Sequence, residues 1–210
     1  MSQKLVVSDG VVAGNAYDKY GTKNPVERRL MSGFLRGLDS LLDQAGPMGS
    51  VLEVGCGEGH ITARMVERYG RDRVTASDLS PEILDIARRG YPGLRFERQS
   101  VYDVGMDGRK WDLIVACEVF EHLDDPRRAL RALAGAANRA IILSVPREPI
   151  WRALNLARGK YWSRMGNTPG HVQQWSTKSF LAFLGQEVDV RDSNSPLPWT
   201  QALCAPRPSA

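Results

Sequence analysis

At 210 residues, with 42% hydrophobic and 25% charged residues, the chain has apolar material for one buried core and the composition of an ordinary globular domain. Its net charge of +4 is mildly basic and permits nucleic acid without suggesting it, since no run of five adjacent cations occurs, and no apolar run approaches the roughly 20 residues of a membrane span. Cys56, Cys117 and Cys204 form neither a disulfide framework nor a zinc knuckle, and no signal peptide is visible, so a reducing cytoplasm is the expected compartment.

Residues 1–23 are mixed and glycine-containing and read as a mobile arm. Asn24-Pro25-Val26-Glu27 then opens a helix: Asn24 is a cap, Pro25 suits the first helical position, and Glu27 is placed to reach back. Val26, Leu30, Phe34, Leu38 and Leu41 define its apolar face, and Gly46-Pro47 stops it. Strand and helix patterns alternate from residue 50: strands over 50–54, 73–77, 94–98, 111–116 and 140–145, helices over 61–69, 80–89 and 126–137. Such alternation predicts a parallel sheet covered on both faces. The run 140–145 is the most apolar and is expected centrally. A helix over 176–185 and two strands, 187–192 and 199–205, complete an α/β, doubly wound, seven-stranded sheet with one antiparallel strand. One domain spans 1–210, with an N-terminal arm and helix (1–46) and an acceptor lid (147–175).

The first strand runs into Val51-Leu52-Glu53-Val54-Gly55-Cys56-Gly57-Glu58-Gly59. Gly55 and Gly57 let the backbone turn sharply and meet a ligand with no Cβ in the way. In open α/β sheets ligands bind beyond the carboxyl ends of the strands, where this loop lies. Asp78 ends the second strand and is placed to accept from ribose hydroxyls. A dinucleotide fingerprint requires Gly or Ala where His60 stands, and the Glu53 carboxylate would oppose a pyrophosphate. A ligand carrying an ammonium and a sulfonium suits the loop better.

The segments VLEVGCGEG, ASDLSPEIL and WDLIVACEVFEHLDDP together resemble the class I methyltransferases that use S-adenosylmethionine (SAM), in particular the small-molecule branch that includes ubiquinone- and menaquinone-biosynthesis enzymes. The resemblance is strong over residues 48–146 and weak beyond. It implies that Glu53, Gly55 and Gly57 surround the methionine part of SAM, that Asp78 holds the ribose, and that Leu79 packs on adenine. Ser100-Val101 stands where the family usually has an acid near the adenine amino group, so the serine hydroxyl or backbone groups must serve. Cys117 and Glu118 match the residues beside the sulfonium, and Tyr17 and Tyr20 match an aromatic arm closing over the cofactor.

Methyl transfer is an in-line displacement that needs alignment, and a base only when the acceptor carries a proton. His171, in Gly166-Asn167-Thr168-Pro169-Gly170-His171 after the fifth strand, is the candidate catalytic residue, since a neutral imidazole suits proton removal near pH 7. Glu118, Glu121 and His122 form E-x-x-E-H, which resembles a divalent-metal pattern of quinone O-methyltransferases. No carboxylate is in sight to complete an oxygen-rich shell, so no metal is expected. Residues 147–164 carry Arg147, Arg152, Arg158, Lys160 and Arg164 against one acid, Glu148, interleaved with apolar side chains. Such a cationic lid suits an anionic, hydrophobic acceptor or a membrane surface. The expected partner is a small-molecule acceptor, not nucleic acid, and the expected state a monomer or homodimer. The alternatives are a methyltransferase of RNA or protein, and an NAD-dependent oxidoreductase.

Overall fold

The computed structural model describes residues 6–8, 11–13, 21–157, 159, 162 and 165–207. Its elements are β1 (Val6–Ser8), β2 (Val11–Ala13), α1 (Pro25–Ala45), β3 (Val51–Val54), α2 (His60–Tyr69), β4 (Val74–Asp78), α3 (Pro81–Gly90), β5 (Arg95–Arg98), β6 (Trp111–Cys117), α4 (Pro126–Ala136), β7 (Ala137–Pro146), α5 (Ile150–Ala157), α6 (Thr177–Leu184), β8 (Val188–Asn194) and β9 (Trp199–Pro206). Short 3-10 turns at Val101–Asp103 and Phe120–His122 follow β5 and β6.

The main sheet has seven strands in the order β5-β4-β3-β6-β7-β9-β8. Every pairing is parallel except the two made by β9, which runs antiparallel to β7 and β8. The order reverses between β3 and β6, and ligands of open α/β sheets settle in the crevice at such a switch point. The loops that follow β3, β4, β5 and β6 all lie on this carboxyl edge.

Alternation along the strands sorts their side chains onto two faces. Leu52, Ile114, Ile141 and Leu143 pack with Leu130 and Leu133 of α4 and Phe180 and Leu184 of α6. Val51, Leu113, Val115 and Ile142 pack with Phe34, Leu38, Leu41 and Leu42 of α1 and Ile61 and Met65 of α2. Being covered on both sides explains why these strands read as unbroken apolar runs. The most apolar strand, β7, is interior but not central; β6 holds the middle place.

Three expectations are corrected. Val6–Ser8 and Val11–Ala13, read as part of an arm, pair antiparallel, with Val7 opposite Val12. Val26 does not join the buried face of α1 and is 63% exposed, whereas Met31 does, because the docked stripe starts one turn later. Asn24 caps as expected, its side chain accepting from the Val26 amide at 2.9 Å, but the Glu27 carboxylate accepts from the Thr22 hydroxyl at 2.6 Å instead of reaching back.

Polar groups buried under α1 fix its seat. The Gln201 amide donates to the Phe34 carbonyl at 3.0 Å and that of Asn194 to the Gly37 carbonyl at 2.9 Å. A Cβ at Gly37 would lie 2.4 Å from Gln201 Oε1, so a larger residue would have to displace the Gln201 amide that seats the helix. Phe34 thereby meets Trp199, at the start of β9, edge-on with ring centroids 5.0 Å apart. The N-terminal helix thus reaches the carboxyl end of the sheet.

Candidate active site

The glycine loop is braced from β4. Asp78 is 8% exposed; its Oδ2 accepts from the Gly57 amide and its Oδ1 from the Ser80 amide, both at 3.0 Å. Cys56 donates its amide to the Ser77 carbonyl at 2.9 Å. Gly55, Gly57 and Gly59 have φ of 70°, 55° and 89°, the left-handed region open to glycine at little cost. Their roles differ. A Cβ on Gly55 would lie 2.4 Å from Val119 Cγ2, and one on Gly59 3.1 Å from the Tyr91 and Phe96 rings. A Cβ on Gly57 would meet nothing within 4 Å. Gly55 and Gly59 therefore serve packing, and Gly57 presents bare backbone to open space, as a cradle for a ligand requires.

Under the loop sits Glu53, 2% exposed, whose carboxylate accepts from the Thr62 hydroxyl of α2. Burial raises its carboxyl from 4.5 to about 8, opposed by the Thr62 hydrogen bond and reinforced by the charge of Asp78. Burial raises Asp78 too, opposed by the Ser80, Gly57 and Leu79 amides. Two buried carboxyls held above their usual range form a pocket floor that favours an arriving cation.

The remaining positions that the resemblance assigns to the cofactor lie along the same edge. Leu79 is half-buried and its carbonyl accepts from Arg98 Nε at 3.1 Å. Ser100 caps the turn after β5, its hydroxyl accepting from the Tyr102 amide at 3.3 Å. The Val101 side chain belongs to the core, so only its backbone can face a ligand. Cys117 ends β6, buried. Glu118 turns the chain at φ 58°, and its amide donates to the Ser144 carbonyl at 3.0 Å. Tyr17 and Tyr20 lie outside the described residues.

The turn after β6 and the loop before α6 bring together Glu121, His122 and His171, one donor atom from each within 4.8 Å of the others. The loop bearing His171 is clipped to the turn after β6. Val172 and Gln173 donate amides to the Glu121 carbonyl at 2.9 and 3.0 Å. Gln173 Nε2 donates to the Leu123 carbonyl at 3.0 Å, and His122 Nδ1 lies 2.9 Å from the Gly170 carbonyl. His171 stacks on Trp151 of α5, centroids 6.0 Å apart, and meets His122 edge-on at 4.9 Å. Trp151 in turn meets Trp199 at 5.7 Å, so an aromatic wall runs from α1 to His122.

Known proteins agree with this layout. Residues 51–139 match the family model described as a methyltransferase domain. An uncharacterised methyltransferase of Mycobacterium tuberculosis is 31% identical over 111 residues, covering 51% of this chain and 55% of that protein. A ubiquinone biosynthesis O-methyltransferase of Xanthomonas oryzae is 32% identical over 132 residues, covering 59% and 54%. The chain spans about half the length of these curated relatives. Among solved structures, magnesium protoporphyrin IX methyltransferase from Synechocystis, with bound S-adenosylhomocysteine, superposes with a TM-score of 0.65 at 19% identity, covering 89% of this chain and 90% of that one. Residues 51–139 are therefore similar to a methyltransferase domain. The sheet order and the single antiparallel strand give the whole chain the class I methyltransferase fold.

The structure adds to the sequence reading in three places. Glu121 and His122 of the E-x-x-E-H turn are joined by His171, which the sequence reading had placed on the acceptor side alone. Of the lid cations, Arg152 turns back on its own loop: Nε donates to the Met165 carbonyl at 2.9 Å. Arg147 lies at the end of β7 with its amide on the Pro198 carbonyl at 2.8 Å; Arg158, Lys160 and Arg164 are outside the described residues. Sequence reasoning also missed Thr62, the hydroxyl partner of Glu53. Its signal was legible: it is the third residue of α2, the helix that opens right after the glycine loop. No helix among the described residues is long and apolar enough to cross a membrane.

Proposed function

We propose that this chain transfers the SAM methyl group to a small-molecule acceptor. The observation that carries the reading is the braced glycine loop over two buried carboxyls: Gly57 backbone open to a ligand, Asp78 at the loop's edge and Glu53 beneath it. The ammonium and sulfonium of SAM stabilise the ionised form of these carboxyls, whereas a dinucleotide pyrophosphate opposes it.

SAM supplies an electrophilic methyl group whose carbon–sulfur bond breaks as the acceptor's bond to carbon forms. The chain's own residues bind, align and exclude water. Glu53 and the glycine loop hold the methionine part, Asp78 the ribose, and Leu79, Ser100 and the Val101 backbone the adenine. Cys117 and Glu118 flank the sulfonium. The acceptor enters between the aromatic wall and the His122–His171 pair, where His171 orients it or takes its proton. The Trp151–Trp199 wall suits an apolar or aromatic acceptor, and a cytoplasmic setting fits three buried free cysteines.

Calorimetry with SAM, S-adenosylhomocysteine and NAD tests the cofactor. Incubating the protein with deuterated-methyl SAM and a metabolite extract, then searching by mass spectrometry for the mass-shifted product, tests the transfer. Binding of NAD without SAM overturns the reading, and label appearing only in RNA or protein overturns the choice of acceptor class.

A further inference from the structure

We propose that the cofactor pocket does not read the 6-amino group of the purine, and so accepts SAM analogues altered at that position. The proposal rests on SAM being the cofactor and concerns only the outer edge of its base.

Sheet order fixes where that edge lies. The strands run β5-β4-β3, with Glu53 and the glycine loop at the end of β3 and Asp78 at the end of β4. A ligand whose methionine part lies over β3 and whose ribose is held at Asp78 must send its base outward, past β4 to the end of β5. The ribose joins the five-membered ring. The 6-position of the other ring therefore points away from Asp78, toward the residues that follow β5. Backbone pairing brings those residues alongside: Asp78 stands opposite Arg98 in the ladder, and the Gln99 amide donates to the Asp78 carbonyl at 3.1 Å.

What this segment offers makes no demand for an amino group. Arg98, Gln99, Ser100, Val101 and Tyr102 include no carboxylate. Arg98 is a cation, its Nε donating to the Leu79 carbonyl at 3.1 Å, and a cation does not attract an N–H edge. Gln99 directs its side-chain amide to the Asp103 carbonyl, and Val101 turns its side chain into the core. Of the flanking acids, Glu97 is paired with Arg109 at 2.8 Å, and Asp103 is exposed. Ser100 remains. Its hydroxyl accepts from the Tyr102 amide at 3.3 Å and keeps one proton and one lone pair, which rotate to suit a neighbour. Such a group can accept from an amino hydrogen, donate to an acceptor or bond to water. A carboxylate could only accept. Facing a base without that N–H, it would lose the tenfold to over a hundredfold, roughly, that a hydrogen bond to a charged group contributes to affinity.

The test compares S-adenosylhomocysteine by calorimetry with two analogues: the 6-deamino compound, with hydrogen in place of the amino group, and the N6-methyl compound. Wild-type Kd values for all three should agree within tenfold. Ser100→Asp keeps the turn, since aspartate accepts from the amide two residues on as serine does. It should favour S-adenosylhomocysteine over the deamino compound by at least tenfold. A wild-type preference above tenfold for the amino group overturns the proposal, and if Asp103→Asn removes that preference, Asp103 is the residue that reads it. A Ser100→Asp variant with unaltered Tm and no gain in selectivity overturns the placement of the base edge. The wild-type comparison stands whether or not the variant folds. If S-adenosylhomocysteine itself does not bind, the cofactor reading fails and takes this proposal with it, a result distinct from binding that depends on the amino group.

Discussion

Replacing Glu53 with glutamine probes the site where its electrostatics are most unusual. The substitution keeps shape and removes a carboxyl whose burial lifts it from 4.5 to about 8. Between those values the folded protein holds a proton that the unfolded chain has released. Stability therefore falls as pH rises from about 4.5 through about 8. At about 1.4 kcal/mol per pH unit, the upper limit of that loss is about 5 kcal/mol. Glu53→Gln should flatten the slope, matching the wild type near pH 5 and exceeding it in stability at pH 8. Binding of SAM works in the opposite direction. A cationic ligand favours ionised Glu53, so at pH 7 its arrival should expel close to one proton, and affinity should climb up to about tenfold per pH unit between pH 6 and 8. The ligand's own ammonium titrates near the ordinary α-amino range, about 7.7–8.0, but it does so identically with both proteins. Calorimetry in two buffers of different ionisation heat counts the protons, and thermal unfolding across pH supplies the stability slope. Equal proton release by wild type and variant, or parallel pH–stability curves, would refute the reasoning.

Other positions give sharper yes-or-no outcomes. Asp78→Ala removes the ribose contact together with the acceptor for the Gly57 and Ser80 amides. At about 1.5–3 kcal/mol for a hydrogen bond to a charged group, S-adenosylhomocysteine should bind tenfold to over a hundredfold more weakly by calorimetry; an unchanged Kd would move the ribose elsewhere. Gly55→Ala combines a left-handed φ of 70° with the overlap on Val119. It should cost at least about 1–2 kcal/mol, and Val119→Ala in the same chain should restore part of the lost Tm. No change in Tm would contradict the packing role. His171→Ala should lower kcat by about 10²–10⁴-fold once an acceptor is found, with SAM affinity within about twofold; a collapse of SAM binding would place His171 on the cofactor side.

Much of the fold and the geometry of the glycine loop were legible because both are written in short-range signals. Asn24, Ser80 and Asp125 cap their helices through side-chain bonds to amides two or three residues on. The glycine loop declares itself through three glycines within five positions, and Asp78 closes the very next strand. The antiparallel pairing of Val6–Ser8 with Val11–Ala13 was missed because the region read as an arm. The acceptor side carried no such signal. His171 looked like a lone imidazole and Glu121 like one letter of a helix-start motif, since nothing in either neighbourhood says that their side chains share a space.

The sequence by itself determined where strands and helices alternate, which faces are apolar, and where the backbone must turn left-handed under a ligand. Those properties depend on dihedral preferences, caps and periodicity acting over a few residues. Only the tertiary structure decided that Val26 stays in water, that α1 reaches Trp199, and that Glu121, His122 and His171 converge. The reason is physical: such meetings follow from how α1, α5 and the loop before α6 pack onto the sheet edge, and residues distant along the chain are neighbours only after that burial has occurred.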